Sequence, residues 1–184
     1  MSIAAVRPVD GQLWPALEAL FGRGGASNGC WCMYWLLGAE YHKRPRTLNK
    51  DALRAAVLDG PAPGLLALDD DGRAVGWCRV SPRTELAWLA RRLPTVDDLP
   101  VWSVPCFYIA ARSRGQGVMT ALIAGAVEHA ERMGAPALEA CPIDTAVPGS
   151  TRNLFPGTVR AFARAGFVEV ARHGKDRAIM RRYL

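Results

Sequence analysis

The chain has 184 residues, half of them hydrophobic and 22% charged, and 23 lysines and arginines against 17 acids give a net charge of +6. That length suits one domain with a full core, the composition excludes a disordered chain, and the positive balance favours anionic partners or simply aids solubility. The N-terminus lacks a basic start followed by a long apolar run, and the longest uncharged stretches are about half of the roughly 20 residues a spanning helix needs, which points to a soluble, cytoplasmic protein.

Ile3 to Val9 reads as a strand, and Gly11 to Phe21 as a helix with Leu13, Leu17, Leu20 and Phe21 on one face. Gly22, Gly24 and Gly25 break the chain before an unusual stretch, "NGCWCMYWLLGAEYHKRP" (28–45). Asn49 is placed to cap a helix over 50–58, which Gly60 and Pro61 end. Strands over 65–68 and 74–80 flank an Asp71-Gly72 turn and predict a hairpin. A short helix over 85–92 precedes a buried strand over 101–110, in which Pro105 removes a ladder donor and implies a bulge. Residues 117–133 carry the clearest helical stripe, from Val118 through Leu122, Ile123, Ala126 and Val127 to Met133. A strand over 137–143, a helix capped by Thr158 and ended by Gly166, and a closing hairpin complete a mixed α/β order.

The turn at 112–117 carries the most specific chemistry. A strand ends at Ala110, and Arg112, Ser113, Arg114, Gly115, Gln116 and Gly117 lead directly into the long helix. The first N–H groups of a helix have no intrahelical acceptor, and the helix dipole adds positive potential there. Two glycines let an oxygen-rich group approach the backbone, and two arginines supply charge-assisted bonds. The set suits a pyrophosphate. It is not a Walker loop, since no Gly-Lys-Ser/Thr follows, and it lacks the third glycine of a dinucleotide fingerprint.

Arg112-x-x-Gly115-x-Gly117 between a strand and a helix resembles the acyl-CoA pyrophosphate loop of the GCN5-related N-acetyltransferases (GNAT). "RAFARAGFVEV" (160–170) is similar to that family's penultimate helix and its Gly-Phe end, and "GCWCMYW", "VWSVPCFYI", "FPGTVRAFARAGF" and "MRRYL" together resemble a little-characterised bacterial branch. The resemblance covers essentially the whole chain. It implies an α/β GNAT fold: one domain over 1–184, with a mixed central sheet splayed between strands four and five and helices on both faces. It also implies an N-acetyltransferase that moves an acetyl group from acetyl-CoA to a small-molecule or peptide amine by direct attack in a ternary complex, with no metal. In that layout acetyl-CoA lies between strands four and five, beside a bulge expected near 105–108. The pantetheine pairs with backbone around Phe107, Ile109 and Ala111, and the amides from Arg112 through Ser113, Arg114, Gly115, Gln116 and Gly117 to Val118 and Met119 hold the pyrophosphate. The thioester carbonyl receives an N–H from Phe107 or Tyr108.

The family's acid is often a tyrosine four residues before the Gly-Phe glycine, and here that position is Phe162. Cys141, Tyr108, Cys106 or a water is then the substitute donor. For the base, Glu139 in an apolar strand comes first, because burial moves a carboxyl toward the useful pKa range; the competing expectation is that it faces solvent or pairs with an arginine. Asp144, Glu40 and His42 are weaker candidates. His129 is expected on a solvated helix face, and His173 near a turn.

The stretch at 28–45 has several readings. Cys30-x-Cys32 is too close-spaced for structural zinc and has no partner pair. The five scattered cysteines do not make a disulfide framework. A helix here puts Trp31, Tyr34 and Trp35 on one side, as core or as the wall of an acceptor pocket with Trp102 opposite. The basic run 42–46 either meets a phosphate or acidic acceptor, or is a solvated loop. Two rival functions follow: acetylation of an aminoacyl-tRNA, drawing on the positive charge, and a non-catalytic acyl-CoA sensor, suggested by Phe162. The last strand, "AIMRRYL" (178–184), is a candidate surface for pairing two copies.

Overall fold

The computed structural model describes residues 3–150 and 153–184. Strand β1 (Ile3–Pro8) leads to helix α1 (Trp14–Phe21), a short α2 (Tyr34–Leu37) and α3 (Arg46–Asp59). The hairpin β2 (Gly64–Asp69) and β3 (Ala74–Pro82) follows, then α4 (Ala87–Arg92), β4 (Trp102–Ile109), α5 (Val118–Arg132) and β5 (Ala137–Ala140). The chain closes with α6 (Val159–Arg164), β6 (Val168–His173) and β7 (Arg177–Tyr183). Among the described residues no helix is long and apolar enough to cross a membrane.

The strands form one seven-stranded sheet in the order β1-β2-β3-β4-β5-β7-β6. Every neighbouring pair is antiparallel except β4 and β5, which are parallel and meet only at Trp102–Leu138 and Ser103–Glu139. Beyond Ser103 the sheet opens. The expected bulge lies at the mouth of this opening: between Ser103 and Cys106 the β4 strand carries one residue more than its β3 partner does between Ser81 and Arg79. Pro105 falls inside that bulge, where the ladder is already interrupted and its missing N–H costs little. β7 lies inside the sheet, paired on one side with β5 and on the other with β6. A second copy therefore cannot add to the edge of β7, and the free edge at this end is β6.

Two cores cover the two sheet faces. β2 is buried throughout, and its side chains alternate, Leu65 and Ala67 facing one core and Leu66 and Leu68 the other. On the first face lies α5, whose Val118, Leu122, Ile123, Ala126 and Ala130 are the stripe read from sequence. Met133, at the end of that stripe, is exposed beyond the helix. On the second face, α1 and α3 pack with Trp31 and Met33 over Trp77.

Two local expectations fail for identifiable reasons. Residues 28–45 do not form one helix: Asn28, Gly29, Trp31 and Cys32 all have positive φ, which interrupts helical backbone, and only α2 and a 3-10 turn over Gly38–His42 are helical. Asn49 does not cap α3, which begins at Arg46. It is fully buried, and its Nδ2 donates to the carbonyls of Gly29 (2.8 Å) and Tyr41 (3.0 Å), tying the ends of that irregular segment together. Thr158 does cap α6, its Oγ1 accepting the N–H of Ala161 at 3.3 Å.

Candidate active site

The turn that opens α5 stands at the end of β4. Gly115 and Gly117 both take left-handed backbone, at φ +73° and +80°, and a Cβ at either position would meet nothing within 4 Å. No side chain caps α5. Its first N–H groups therefore face open space beside Arg112 and Arg114, both exposed. An anionic group of pyrophosphate size fits this cradle on its own chemistry. The first amides of the expected set are not part of it: Ser113 N–H donates to Ala110 O at 2.8 Å and Arg114 N–H to Ala111 O at 3.4 Å, and the Ser113 side chain is fully buried. Val118 is likewise buried, so only its backbone is available. The Arg114 Nε bonds the Ile109 carbonyl at 3.3 Å, anchoring the turn to the strand.

The exposed edge of β4 is partly used by the chain itself. The Pro105 carbonyl accepts a hydrogen bond from the Trp35 indole Nε1 at 3.1 Å, and the Phe107 N–H donates to the Phe155 carbonyl at 2.7 Å. Strand alternation sends the Tyr108 N–H toward β3, as the Ala110 N–H does in bonding Val75 O at 3.0 Å. Tyr108 is thereby corrected as a backbone donor to the opening. Phe107 has the right direction, but its N–H is taken by the 153–157 loop.

Beside this edge, on the α1–α2 face of the sheet, lies a cleft of about 290 Å³. Its walls carry Phe21, Tyr34, Trp35 and Tyr41, its floor Trp77 and Tyr108, and Phe155 closes it from the opposite loop. Tyr34 stands edge-on to Trp35 with ring centroids 4.9 Å apart. Two of the expected wall residues are elsewhere. Trp31 is buried against Trp14 and Phe21, with the Lys50 ammonium over its ring. Trp102 belongs to the other sheet face, edge-on to His129 at 5.8 Å. Phe21, Tyr41 and Phe155 were not legible as pocket residues, because they come from three separate elements. Arg177, at the start of β7, also lines the cleft and holds the Cys141 carbonyl at 3.0 Å.

The expected acid–base groups are dispersed. Tyr108 lines the cleft beside Cys106. Glu139 is buried with each oxygen bonded to a guanidinium: Oε1 to Arg83 Nη1 and Oε2 to Arg181 Nη2, both at 2.9 Å. Arg181 also meets Asp97 at 2.6 Å, and Arg83 bonds the Leu93 carbonyl at 2.8 Å. The pairing alternative therefore holds for Glu139, whose lone pairs serve an ion-pair network. Cys141 lines a separate small cavity with Glu139 and Pro105, and burial pushes its thiol up to about 11. Asp144 pairs with Arg172 at 3.0 Å, which holds its carboxyl below the usual range, and Glu40 pairs with Lys43 at 2.6 Å. Phe162 is fully buried against Phe107 and Phe167. His129 is buried rather than solvated, and burial followed by the nearby Arg132 charge lowers its pKa. Among the described residues no cluster of metal-ligating side chains exists and all five cysteines are free.

The model of the acetyltransferase (GNAT) family matches residues 31–155, more than half of the chain. Solved structures align over nearly all of it. A GCN5-related N-acetyltransferase from Kribbella flavida is 21% identical, with 98% of this chain and 97% of that one covered and a TM-score of 0.57. A phosphinothricin acetyltransferase from Sinorhizobium meliloti in complex with acetyl-CoA is 20% identical, covering 100% and 89%, with a TM-score of 0.59. A ribosomal-protein-alanine N-acetyltransferase from Brucella melitensis is 18% identical, covering 98% and 99%, with a TM-score of 0.57. No curated protein matches the chain.

Proposed function

The chain belongs to the GNAT acetyltransferase family, and on that premise we propose that it transfers an acetyl group from acetyl-CoA to the nitrogen of an amine held in the aromatic cleft. The observation that carries the reading is the uncapped start of α5. Two left-handed glycines there open the backbone beside two exposed arginines, at the end of the strand where the sheet parts. The amides from Gly115 onward and the two guanidiniums hold the diphosphate. The Ile109 N–H, on the same edge as Phe107 by alternation, pairs with the pantetheine. The Phe107 N–H receives the thioester oxygen once the Phe155 carbonyl withdraws, and stabilises the oxyanion as the amine attacks.

The attacking amine must lose a proton and the departing thiol gains one. With Phe162 aromatic and apolar and Glu139 bonded on both oxygens, we assign protonation of the thiol to the Tyr108 hydroxyl, on the β4 floor of the cleft, in preference to Tyr34 and Tyr41 on its walls. The cleft is mainly apolar and aromatic, with Ser27, Asn28 and Asn153 as polar lining and Arg177 as its cation. It suits an amine with an apolar or aromatic body, whose carboxylate, where it has one, meets Arg177. The protein is incubated with acetyl-CoA and a panel of such amines, and release of free CoA thiol is followed. Amine-dependent release that falls about 10²–10⁴-fold in Tyr108→Phe is expected. Release with no amine preference, or a Tyr108→Phe variant as fast as the parent, overturns this assignment.

A further inference from the structure

Two thiols of the cleft have surroundings that acetyl transfer does not explain. Trp31 and Cys32, consecutive and neither of them glycine, both have left-handed backbone, at φ +44° and +60°. Such residues are strained and persist where the surrounding structure fixes them, often at functional sites. Here the bend directs the Cys32 side chain onto the sheet. The Trp77 indole Nε1 donates to its sulfur at 3.3 Å, and Cys106, paired across the sheet with Arg79, lines the same cleft wall, its own thiol 3.9 Å from the Phe107 carbonyl. Arg79 lies beside it, its Nη1 bonded to the Cys32 carbonyl at 3.4 Å. Arg79 is 4% exposed, its Nε has no hydrogen-bond partner, and among the described residues it joins no ion pair with a carboxylate. A buried cation needs a counter-charge, and the sulfur of Cys32 is the acid placed to supply it.

We propose that Cys32 and Cys106 form a peroxide-reactive thiol pair on the cleft wall, Cys32 being the attacking thiolate and Cys106 the resolving thiol, and that oxidation joins them as a disulfide. Both residues line the open cleft, Cys32 buried at its wall and Cys106 half-buried, so the proposal requires a hydroperoxide small enough to enter the cleft. The Cys32 thiolate attacks one peroxide oxygen; the O–O bond breaks and hydroxide leaves, taking up a proton as water. The resulting sulfenic acid is attacked by the Cys106 sulfur. The S–O bond breaks, and the second hydroxide departs with the proton from Cys106 as a second water. Two thiol equivalents are thus oxidised by two electrons and one peroxide is reduced. The bond ties the irregular segment after α1 to β4 across the cleft. The charged and titratable groups on the same sheet face as Cys32 are Arg79 from β3, Cys106 from β4 and Cys30 from its own segment; Cys78 of β3 points to the opposite face, toward the Leu122 carbonyl. The neighbouring Cys106 thiol, then the Arg79 charge and the Trp77 indole, outweigh burial and lower its pKa to about 6. The neighbouring Cys32 sulfur, with burial, raises Cys106.

The inference does not depend on acetyl transfer, and its test reads chemistry on the chain alone. The reduced protein is alkylated with iodoacetamide across pH 5–9 and mapped by mass spectrometry. Separately, it is treated with hydrogen peroxide and digested without reductant. Cys32 should label with a midpoint near pH 6 rather than the ordinary thiol value of about 8.5, and Cys106→Ala should raise that midpoint while Cys106→Ser, which keeps a donor, restores it in part. Peroxide should yield a Cys32–Cys106 cross-linked peptide, reversed by dithiothreitol. In Cys106→Ala, oxidation should stop at a Cys32 sulfenic acid trapped by dimedone. An ordinary midpoint at Cys32, or a peroxide product that joins Cys32 to Cys30 or joins neither, overturns the proposal. If acetyl-CoA does not bind yet this cross-link forms, the acetyltransferase reading falls and the thiol pair stands.

Discussion

Glu139 sits between Arg83 and Arg181 in the buried seam where β5 meets β7. Glu139→Gln removes the charge that balances two buried guanidiniums, and breaking one side of a buried ion pair costs about 3–5 kcal/mol. Thermal unfolding of this variant should therefore show a large fall in Tm before any rate is measured; a variant as stable as the parent would free the carboxylate for catalysis after all. The sequence shows that an acid lies inside an apolar strand, but not which of two fates it has. The deciding partners, Arg83 and Arg181, lie 56 and 42 residues away. Trp31 is misplaced for a related reason. Non-glycine residues with positive φ leave no pattern in the sequence, so the helical spacing that assigned it to the cleft never applied.

At the scale of elements, regular periodicity was legible and irregular connection was not. The α5 stripe, the Thr158 cap and the β2–β3 hairpin follow local rules, and each was readable from a few neighbouring residues. The cleft is built by the segment between α1 and α3 and by the loop before α6, whose shapes depend on distant hydrogen bonds. Asn49 is the clearest of these. Asn49→Ala leaves the Gly29 and Tyr41 carbonyls without their buried donor, and should cost about 1–3 kcal/mol. Hydrogen exchange in residues 22–41 should rise in this variant with α5 unchanged; an even rise across the chain would mean that Asn49 does not hold the cleft wall in particular. The 153–157 loop gives a second test. If the thioester takes the Phe107 N–H, acetyl-CoA should speed exchange around residues 153–157 while protecting 115–119. Protection of both segments would place the thioester elsewhere.

For the molecule as a whole, the sheet order and the parting of β4 from β5 agree with the family layout, and these were legible because element order alone restricts the topology. The pH response follows from a residue whose burial was not legible. His129 packs against Trp102, and burial lowers its pKa in the folded state. The unfolded chain then binds the proton more readily, so this contribution to stability is complete above the unfolded value of about 6.5 and is lost as pH falls below it. Denaturant midpoints should decline from pH 7 to pH 5, and His129→Leu should flatten that slope. An unchanged slope in the variant would assign it to other groups.

The most direct measurement is calorimetric titration of acetyl-CoA into the protein and into the Arg112→Ala/Arg114→Ala variant. Saturable binding is expected, weakened about 10–100-fold by loss of two charge-assisted contacts. No heat at millimolar acetyl-CoA, or equal affinity in the variant, would contradict the assignment of the α5 N-terminus as the diphosphate site.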